Sequence, residues 1–310
     1  MPESAMQGGE AAAKGMDNAR AASIRYIVPD TQRASVIERI SWLSVSDGGL
    51  EPYLSSNSPV VIDQIDLSFA PVHWSIDALR AKFGAVTIRV LRSDSQFFTY
   101  NDKRERDIVQ MTLADFIEKG IEKPGADGYF YALGRSPIDQ FCELKSEMEL
   151  PRALSSVVDG FLRRPERNLW ISPKGTRTAL HFDAVENLNL QIAGSKSFLL
   201  IPPRIKGMHC YPVTSQAAYV SSVDPRSRDL PVGFPIHKGV EVTLVAGEML
   251  YLPYGWWHQV DTVGTGNVNA NYWWFPRVKL ASMPAQTLRG LMVLINRMGM
   301  HPHKRAQKLA

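Results

Sequence analysis

The chain has 310 residues, of which 45% are hydrophobic and 21% are charged, and its formal net charge is +4. This balance is typical of a globular protein and excludes a disordered chain, a collagen-like repeat and a disulfide-rich scaffold. No run of residues approaches the roughly 18 apolar residues that a membrane-spanning helix needs. The mildly basic charge is scattered along the chain, so a nucleic-acid partner is permitted but not indicated.

The N-terminal residues 1–22 are rich in alanine, glycine and charge and contain no apolar core segment, so we expect a loose tail rather than a secretory signal. Two distant cysteines, Cys142 and Cys210, cannot build a disulfide framework or a four-cysteine zinc site. Free thiols are typical of a reducing compartment. These features predict a cytoplasmic protein that does not enter a membrane.

The first half of the chain mixes predicted helices and strands. The spacing of Val36, Ile37 and Ile40 predicts a short helix, and Ser75 is a candidate cap for a helix that ends at Gly84. Residues 59–62, 86–90 and 129–131 are apolar or aromatic and predict strands.

From about Asn168 the pattern changes to short strands separated by Gly and Pro turns. Apolar residues at 188, 190 and 192 alternate with amides at 187, 189 and 191, which predicts one apolar face and one polar face. Further strands are predicted at 197–201, 242–244, 249–252 and 267–275. This pattern predicts an all-β barrel or sandwich.

A final helix is predicted after Ser282, with Leu288, Leu291, Met292, Ile295 and Met298 along one face. Such a stripe has to pack against something. The alternatives are the helix's own domain, a second copy of the chain in a homodimer, or a membrane surface.

One constellation suggests metal chemistry. His181 and Asp183 lie at positions i and i+2 of a strand, so their side chains point to the same face. His258 follows another strand and can supply a third ligand. Two histidines and one carboxylate on one face are the facial triad of non-haem Fe(II) oxygenases, in which the opposite positions stay open for an oxidant and a co-substrate.

The predicted strand that begins near Lys196 carries a second feature that suggests a ligand-binding site. Lys196 begins an otherwise apolar strand, and an ammonium inside a barrel needs an anion to compensate it. The dicarboxylate 2-oxoglutarate is such an anion, because its 2-oxo acid end can chelate iron while its far carboxylate reaches the lysine. Thr178 can add a hydroxyl donor to that carboxylate, although ordinary hydrogen bonding within a strand is the alternative for this residue.

These motifs, together with the segments FLLIPP at 198–203 and LPYGWWH at 252–258, resemble the JmjC/cupin-8 family of Fe(II)- and 2-oxoglutarate-dependent oxygenases. The branch that looks most similar contains the asparaginyl hydroxylase factor inhibiting HIF. The resemblance covers roughly residues 59–276.

The resemblance implies roles for individual residues. His181, Asp183 and His258 would bind iron and thereby be catalytic, while Lys196 and Thr178 would bind the distal carboxylate of 2-oxoglutarate. The family also implies that three further residues line the co-substrate pocket, with Tyr129 as the alternative to the tyrosine: Asn187, Asn271 and Tyr131. The segment 223–235 matches an insert that often borders the substrate groove in this family.

The resemblance implies a mainly β fold, with a double-stranded β-helix (jelly-roll) core at about 168–276, flanking N-terminal α/β elements and a C-terminal helix. The predicted domains are a tail at 1–22, a catalytic domain at 23–280, and a helix with a basic tail at 281–310 that is a candidate for dimerisation.

We expect Fe(II), 2-oxoglutarate and O2 to support hydroxylation of an unactivated C–H bond in a protein or peptide side chain. The alternatives are a small-molecule hydroxylase, then an RNA-modifying oxygenase or a non-enzymatic cupin. Histone demethylation ranks low, because the chain lacks zinc-binding cysteines and a reader domain.

Overall fold

The computed structural model describes residues 36–66, 68–69, 73–99, 107–132, 141–158, 165–275 and 288–291. Within this part of the chain, the helices are α1 (Trp42–Ser46), α2 (Glu51–Ser56), α3 (Ile76–Phe83), α4 (Leu113–Phe116), α5 (Cys142–Glu147) and α6 (Arg152–Val158). A π-helical turn, Ile117–Glu122, continues α4, and a 3-10 turn covers Ile236–Lys238.

Strands make up most of the second half of the chain. Their bounds are β1 (Glu38–Ser41), β2 (Val60–Asp63), β3 (Thr87–Ser93), β4 (Phe97–Phe98), β5 (Asp107–Thr112), β6 (Tyr129–Ala132), β7 (Glu166–Ser172), β8 (Arg177–Thr178), β9 (His181–Phe182), β10 (Glu186–Ala193), β11 (Ser195–Ile201), β12 (Val240–Val245), β13 (Met249–Leu252), β14 (Trp257–Thr262) and β15 (Asn267–Trp274).

The strands form two sheets that pack face to face. The larger sheet has the strand order β1-β2-β13-β10-β15-β7-β6-β3-β5, and the smaller one has the order β12-β11-β14-β8-β4, with β9 paired to β14. The pairs around the centre of the molecule, β10 with β13 and β15 and β11 with β12 and β14, are antiparallel. The predicted mainly β jelly-roll core is therefore confirmed.

The two faces of β10 pack against different parts of the protein. Leu188, Leu190 and Ile192 belong to the main apolar core, which also contains residues of the N-terminal helices such as Leu79 and Phe83. The opposite face carries the amides and points toward the smaller sheet. The alternation in the sequence predicted this division, because successive side chains of a strand point to opposite faces.

The inner face is apolar near β13. Leu250 and Leu252, which lie opposite the amide positions of β10, pack in one buried cluster with Phe198 and Leu200 of the smaller sheet. The space between the sheets thus has an apolar half and a half lined by polar side chains.

A tight turn at Gly194 joins β10 to β11 and determines where Lys196 lies. Gly194 has a φ of +71°, and a Cβ atom there would lie 2.9 Å from the side chain of Asn267. Glycine is therefore required by both the backbone conformation and the close approach. The turn brings β11 back across the barrel with Lys196 at its second position.

The predicted short helix around Val36, Ile37 and Ile40 is wrong. Residues 38–41 instead form β1, which pairs in parallel with β2, as in the contact between Glu38 and Val60. The hydrogen bonds available at the exposed edge of β2 outweigh the helical spacing of three apolar residues, and Val36 is 89% exposed.

Two helix caps are present, the predicted one at Ser75 and a second one at Thr112. The Ser75 hydroxyl accepts a hydrogen bond from Ala78 N at 3.1 Å, and the Thr112 hydroxyl accepts one from Asp115 N at 3.0 Å. In the region of the predicted C-terminal helix, only residues 288–291 are described, and they are helical. Its proposed cap Ser282 and the remaining stripe residues lie outside the described residues. None of the described helices has the length and apolar character needed to cross a membrane.

Candidate metal centre and co-substrate pocket

The strand pair β9 and β14 brings the two histidines together. His181 lies directly opposite His258 across this antiparallel pair, and the centroids of their rings are 4.2 Å apart. Asp183 follows β9, and its Oδ2 atom lies 3.6 Å from His258 Nε2. One candidate ligand atom from each of the three residues lies within 4.8 Å of the others.

Hydrogen bonds orient both imidazole rings. The Nδ1 atom of His181 is 2.8 Å from the carbonyl oxygen of Ala179, and that of His258 is 3.1 Å from the carbonyl oxygen of Trp256. Because a carbonyl oxygen can only accept, each Nδ1 carries the hydrogen and each Nε2 keeps a lone pair. This arrangement is typical of metal-binding histidines.

The donor set fits Fe(II). Two imidazole nitrogens and one carboxylate oxygen converge, and among the described residues no fourth histidine, cysteine or carboxylate joins the cluster. His258 is buried, whereas His181 and Asp183 are partly exposed. A facial triad with open positions suits non-haem iron. The structure therefore brings together the three residues that were predicted to bind the metal.

Lys196 lies on the inner face of β11, four residues along the ladder from the position opposite His258. At about 3.3 Å per residue, the two positions are about 13 Å apart along the sheet. The side chain is buried, with 3% of its surface exposed. In the described part of the chain, no carboxylate forms an ion pair with Lys196 Nζ.

Burial changes the protonation of this lysine. Removing the ammonium from water lowers the pKa of Lys196 from 10.5 to about 7. The ring of Tyr131 lies beside this ammonium, with its centroid 6.0 Å from Nζ. A buried ammonium that has no carboxylate partner among the described residues is suited to bind an anionic ligand.

Tyr131 and Tyr129 have different surroundings. The Tyr131 ring is buried beside Phe98 and Trp170, with centroids 5.5 and 5.7 Å away. Tyr129 is only half-buried, and its phenol oxygen lies close to Gly125, 3.2 Å from where a Cβ atom would stand. The geometry therefore favours Tyr131 over Tyr129 as the tyrosine that faces Lys196.

A row of asparagines crosses the inner face of the large sheet. Asn189 lies opposite Asn271, and Asn271 lies opposite Asn168. All three are buried, and each has at least one side-chain nitrogen or oxygen without a hydrogen-bond partner among the described residues. Buried polar groups are normally paired, so this carboxamide row (Asn168, Asn189 and Asn271) fits a polar ligand between the sheets.

The other two predicted pocket residues are Asn187 on β10 of the larger sheet and Thr178 on β8 of the smaller sheet. Asn187 is buried at the end of β10 closest to Asp183, and its Oδ1 atom also has no partner. Thr178 Oγ1 accepts a hydrogen bond from Val260 N at 3.1 Å. This bond supports the strand pairing that was its alternative role, yet a hydroxyl can donate its own hydrogen at the same time.

Glu186, a buried carboxylate at the start of β10, was not predicted as a site residue from the sequence. Its Oε2 atom accepts hydrogen bonds from the Tyr251 hydroxyl at 2.7 Å and from Tyr254 N at 3.1 Å. Gly255 N in turn donates to the carbonyl of Asp183 at 3.1 Å. Glu186 therefore ties the loop before β14 to the segment of Asp183. The available signal in the sequence was an acidic residue directly before the alternating apolar and amide residues of this strand.

The insert between β11 and β12 lies against the smaller sheet and against strand β9. Within 223–235, Asp224 and Arg226 pair with Arg177 and Asp261 on the outer face of the smaller sheet. Phe234 of this segment packs in one buried cluster with Phe182 of β9. Earlier in the insert, Val220 forms an antiparallel bridge with His181. The Tyr219 ring is 6.3 Å from the His181 ring.

Comparison with known proteins agrees with this geometry. The cupin-like domain family matches residues 49–279. The chain is 30% identical over 229 residues to lysine-specific demethylase 8 of Danio rerio, covering 72% of this chain and 54% of that protein. It is also 30% identical to lysine-specific demethylase JMJ30 of Arabidopsis thaliana, covering 77% and 54%.

A third relative, tRNA wybutosine-synthesizing protein 5 of Mus musculus, is 22% identical over 236 residues, covering 73% of each chain. The chain thus spans about half the length of the two demethylases that it matches. These similarities support the family, and they do not single out the asparaginyl hydroxylase branch. The chain belongs to the cupin-like (JmjC) domain family, a family of Fe(II)- and 2-oxoglutarate-dependent oxygenases.

Proposed function

We propose that this protein is a 2-oxoglutarate-dependent dioxygenase that hydroxylates an unactivated C–H bond, with a protein or peptide side chain as the substrate. One observation carries the proposal. A His-Asp-His triad and a buried lysine that has no carboxylate partner among the described residues face the same space between two sheets. An isomerase or a simple metal-binding cupin has no use for such an ammonium, whereas a dicarboxylate co-substrate requires it.

The residues divide into two groups under this proposal. His181, Asp183 and His258 would hold Fe(II), and the carbonyl partners of the two histidines keep their Nε2 atoms directed at it. Lys196 would receive the distal carboxylate of 2-oxoglutarate by a charge-assisted hydrogen bond. Iron and 2-oxoglutarate bound there would supply the oxidation of a C–H bond by O2, with succinate and carbon dioxide as products.

The remaining pocket residues would orient the co-substrate. Tyr131 and Thr178 offer hydroxyl donors near the lysine, and Asn187 and Asn271 offer amide groups on the opposite wall. The surrounding apolar cluster of Phe198, Leu200, Leu250 and Leu252 would exclude water from one side of the pocket.

A protein substrate is supported by the names of the relatives, which describe two of them as lysine-specific demethylases. From the sequence, demethylation ranked below the other candidate reactions because the chain lacks zinc-binding cysteines. Because of the similarity to these two proteins, demethylation of a methylated lysine side chain has to be tested beside simple hydroxylation.

RNA is the second candidate substrate. The similarity to a tRNA wybutosine-synthesizing protein covers 73% of that protein, a larger share than for the demethylases. A net charge of +4 is compatible with a phosphate backbone. We keep the small-molecule hydroxylase as a third alternative.

Substrate-dependent formation of succinate tests these alternatives. The purified protein with Fe(II), 2-oxoglutarate and O2 is given, in separate arms, unmodified peptides, methyl-lysine peptides, transfer RNA and a metabolite panel. We expect one of the peptide arms to raise succinate formation, and a mass increase of one oxygen or loss of a methyl group identifies the reaction. Stimulation by RNA or a metabolite alone would refute the protein substrate.

Matched variants show whether this activity belongs to the site. Asp183→Ala should abolish turnover, while His237→Ala, which removes an exposed histidine far from the triad in sequence, should leave it unchanged. Equal activity of Asp183→Ala and the unsubstituted protein would refute the assignment of the triad.

We also propose three features that were predicted from the sequence: the domain boundaries, the cytoplasmic location and the homodimer. Leu288 and Leu291 are each 50% exposed, which is compatible with a second copy covering the stripe. Light scattering of the purified protein measures the mass directly, and a monomer at all accessible concentrations would refute the dimer.

A further inference from the structure

The helical segment 288–291 contacts the protein through Arg289. The Nη1 atom of Arg289 donates hydrogen bonds to the carbonyl oxygens of Tyr211 and Ala218, at 2.7 and 2.8 Å. Hydrogen bonds from a charged donor are stronger than neutral ones. Arg289 therefore joins the two ends of segment 211–218, which belongs to the insert between β11 and β12.

Segment 211–218 continues directly into the residues beside a proposed metal ligand. Val220 bridges His181, and Phe182 N donates to the carbonyl of Tyr219 at 3.1 Å. Ser221 N donates to the carbonyl of Leu180 at 2.8 Å. Strand β9 is thus held by β14 on one side and by residues 219–221 on the other.

The same helical segment also touches the chain on the other side of the triad. A Cβ atom at Gly290 would lie 2.7 Å from the Cβ atom of Ala184. This distance is shorter than real side chains tolerate, so glycine allows the close approach. Ala184 directly follows Asp183, so the segment contacts both flanks of the proposed metal site.

We infer that Arg289 is a positioning residue for the metal site, and that residues 288–291 clamp segment 211–221 and Ala184 around strand β9. The inference rests on the proposed function of the triad. It adds a role for a part of the chain that lies far from the ligands in sequence and that the resemblance to the family did not assign.

Hydrogen exchange of the metal-free protein tests the clamp without any catalytic activity. In Arg289→Gln, the amides of Tyr211, Val220 and Phe182 should exchange at least about tenfold faster, because the charged hydrogen bonds that hold this segment are lost. Amides of β10 and β15 should not change. Gly290→Ala keeps the guanidinium but forces the segment away from Ala184, and it should accelerate the same amides.

Two comparisons distinguish positioning from general stabilisation. Arg289→Lys retains one charged donor and should exchange at an intermediate rate, whereas Arg228→Ala removes an exposed arginine of the same insert and should match the unsubstituted protein. Added Co(II) reports the geometry of the ligands, and we expect Arg289→Gln to bind it more weakly and to change its visible absorption bands, with partial recovery in Arg289→Lys.

Three results would overturn the inference: unchanged exchange at 211–221 in both Arg289→Gln and Gly290→Ala, equal acceleration of every strand, or an unaltered Co(II) spectrum in Arg289→Gln. If the unsubstituted protein binds no Co(II), the proposed function fails instead, while the exchange result still decides whether the clamp exists.

Discussion

Lys196 allows a quantitative test of the proposed pocket. The residue is buried, and burial lowers its pKa from 10.5 to about 7. A decrease of about 3.5 pKa units corresponds to about 5 kcal/mol of unfavourable free energy for the charged form. The protein without co-substrate carries this cost. Lys196→Met keeps the length of the side chain and removes the charge, so it should raise the free energy of unfolding, by up to about 4 kcal/mol at pH 7.

The sign of the pH dependence follows from the two protonation states. Below pH 7 both the folded and the unfolded chain hold the proton, and the full cost is present. Between pH 7 and pH 10.5 the unfolded chain holds more protons at this group, so the stability of the folded protein increases with pH. Relative to Lys196→Met, the unsubstituted protein should gain about 2 kcal/mol between pH 7 and pH 9.

Bound 2-oxoglutarate should reverse this behaviour. Its carboxylate stabilises the ammonium, so binding raises the pKa of Lys196 and takes up a proton above pH 7. Urea unfolding at pH 7 and pH 9, with and without 2-oxoglutarate, measures both effects, and Lys174→Met at an exposed turn is the control. A destabilised Lys196→Met, or equal binding of 2-oxoglutarate by this variant, would refute the reasoning.

The other predictions concern single side chains around the same space. Glu186→Gln should lower the affinity for Fe(II) by about 10- to 100-fold, as expected for a group that orients the ligands, and metal titration measures this; an unchanged affinity would refute its role. Tyr131→Phe should weaken 2-oxoglutarate binding by about two- to tenfold in calorimetry, the value of one hydrogen bond, while Tyr129→Phe should not. Asn189→Leu removes a buried amide whose Nδ2 atom has no hydrogen-bond partner among the described residues. It should therefore stabilise the ligand-free protein by about 1–3 kcal/mol in urea unfolding and weaken 2-oxoglutarate binding; a less stable variant would contradict the assignment of Asn189 to the ligand pocket.

Local sequence patterns predicted the parts of the site that lie on one strand or on adjacent strands. His181 and Asp183 share a face because of the two-residue period of a strand. The amide face of β10 was also visible in the alternation of residues 187–192. Such features depend only on the backbone geometry of an element, which the sequence reports directly.

Features that depend on the register between distant strands could not be predicted. The carboxamide row combines β7, β10 and β15, and only the strand pairing places Asn168 and Asn189 beside Asn271. Glu186 finds its partners about 65 residues away in Tyr251 and Tyr254. The strand conformation of β1 was not predicted for a similar reason, because it depends on the pairing with β2 rather than on the sequence of β1 alone.

The most direct test of the account is an anaerobic titration of metal-free protein with Fe(II) and then 2-oxoglutarate. We expect a visible charge-transfer band of the iron chelate that disappears in His181→Ala, weakens in Lys196→Ala and persists in His237→Ala. Bound iron without any such band, or a band that is equally strong in His181→Ala, would contradict the assignment of this site to 2-oxoglutarate-dependent chemistry.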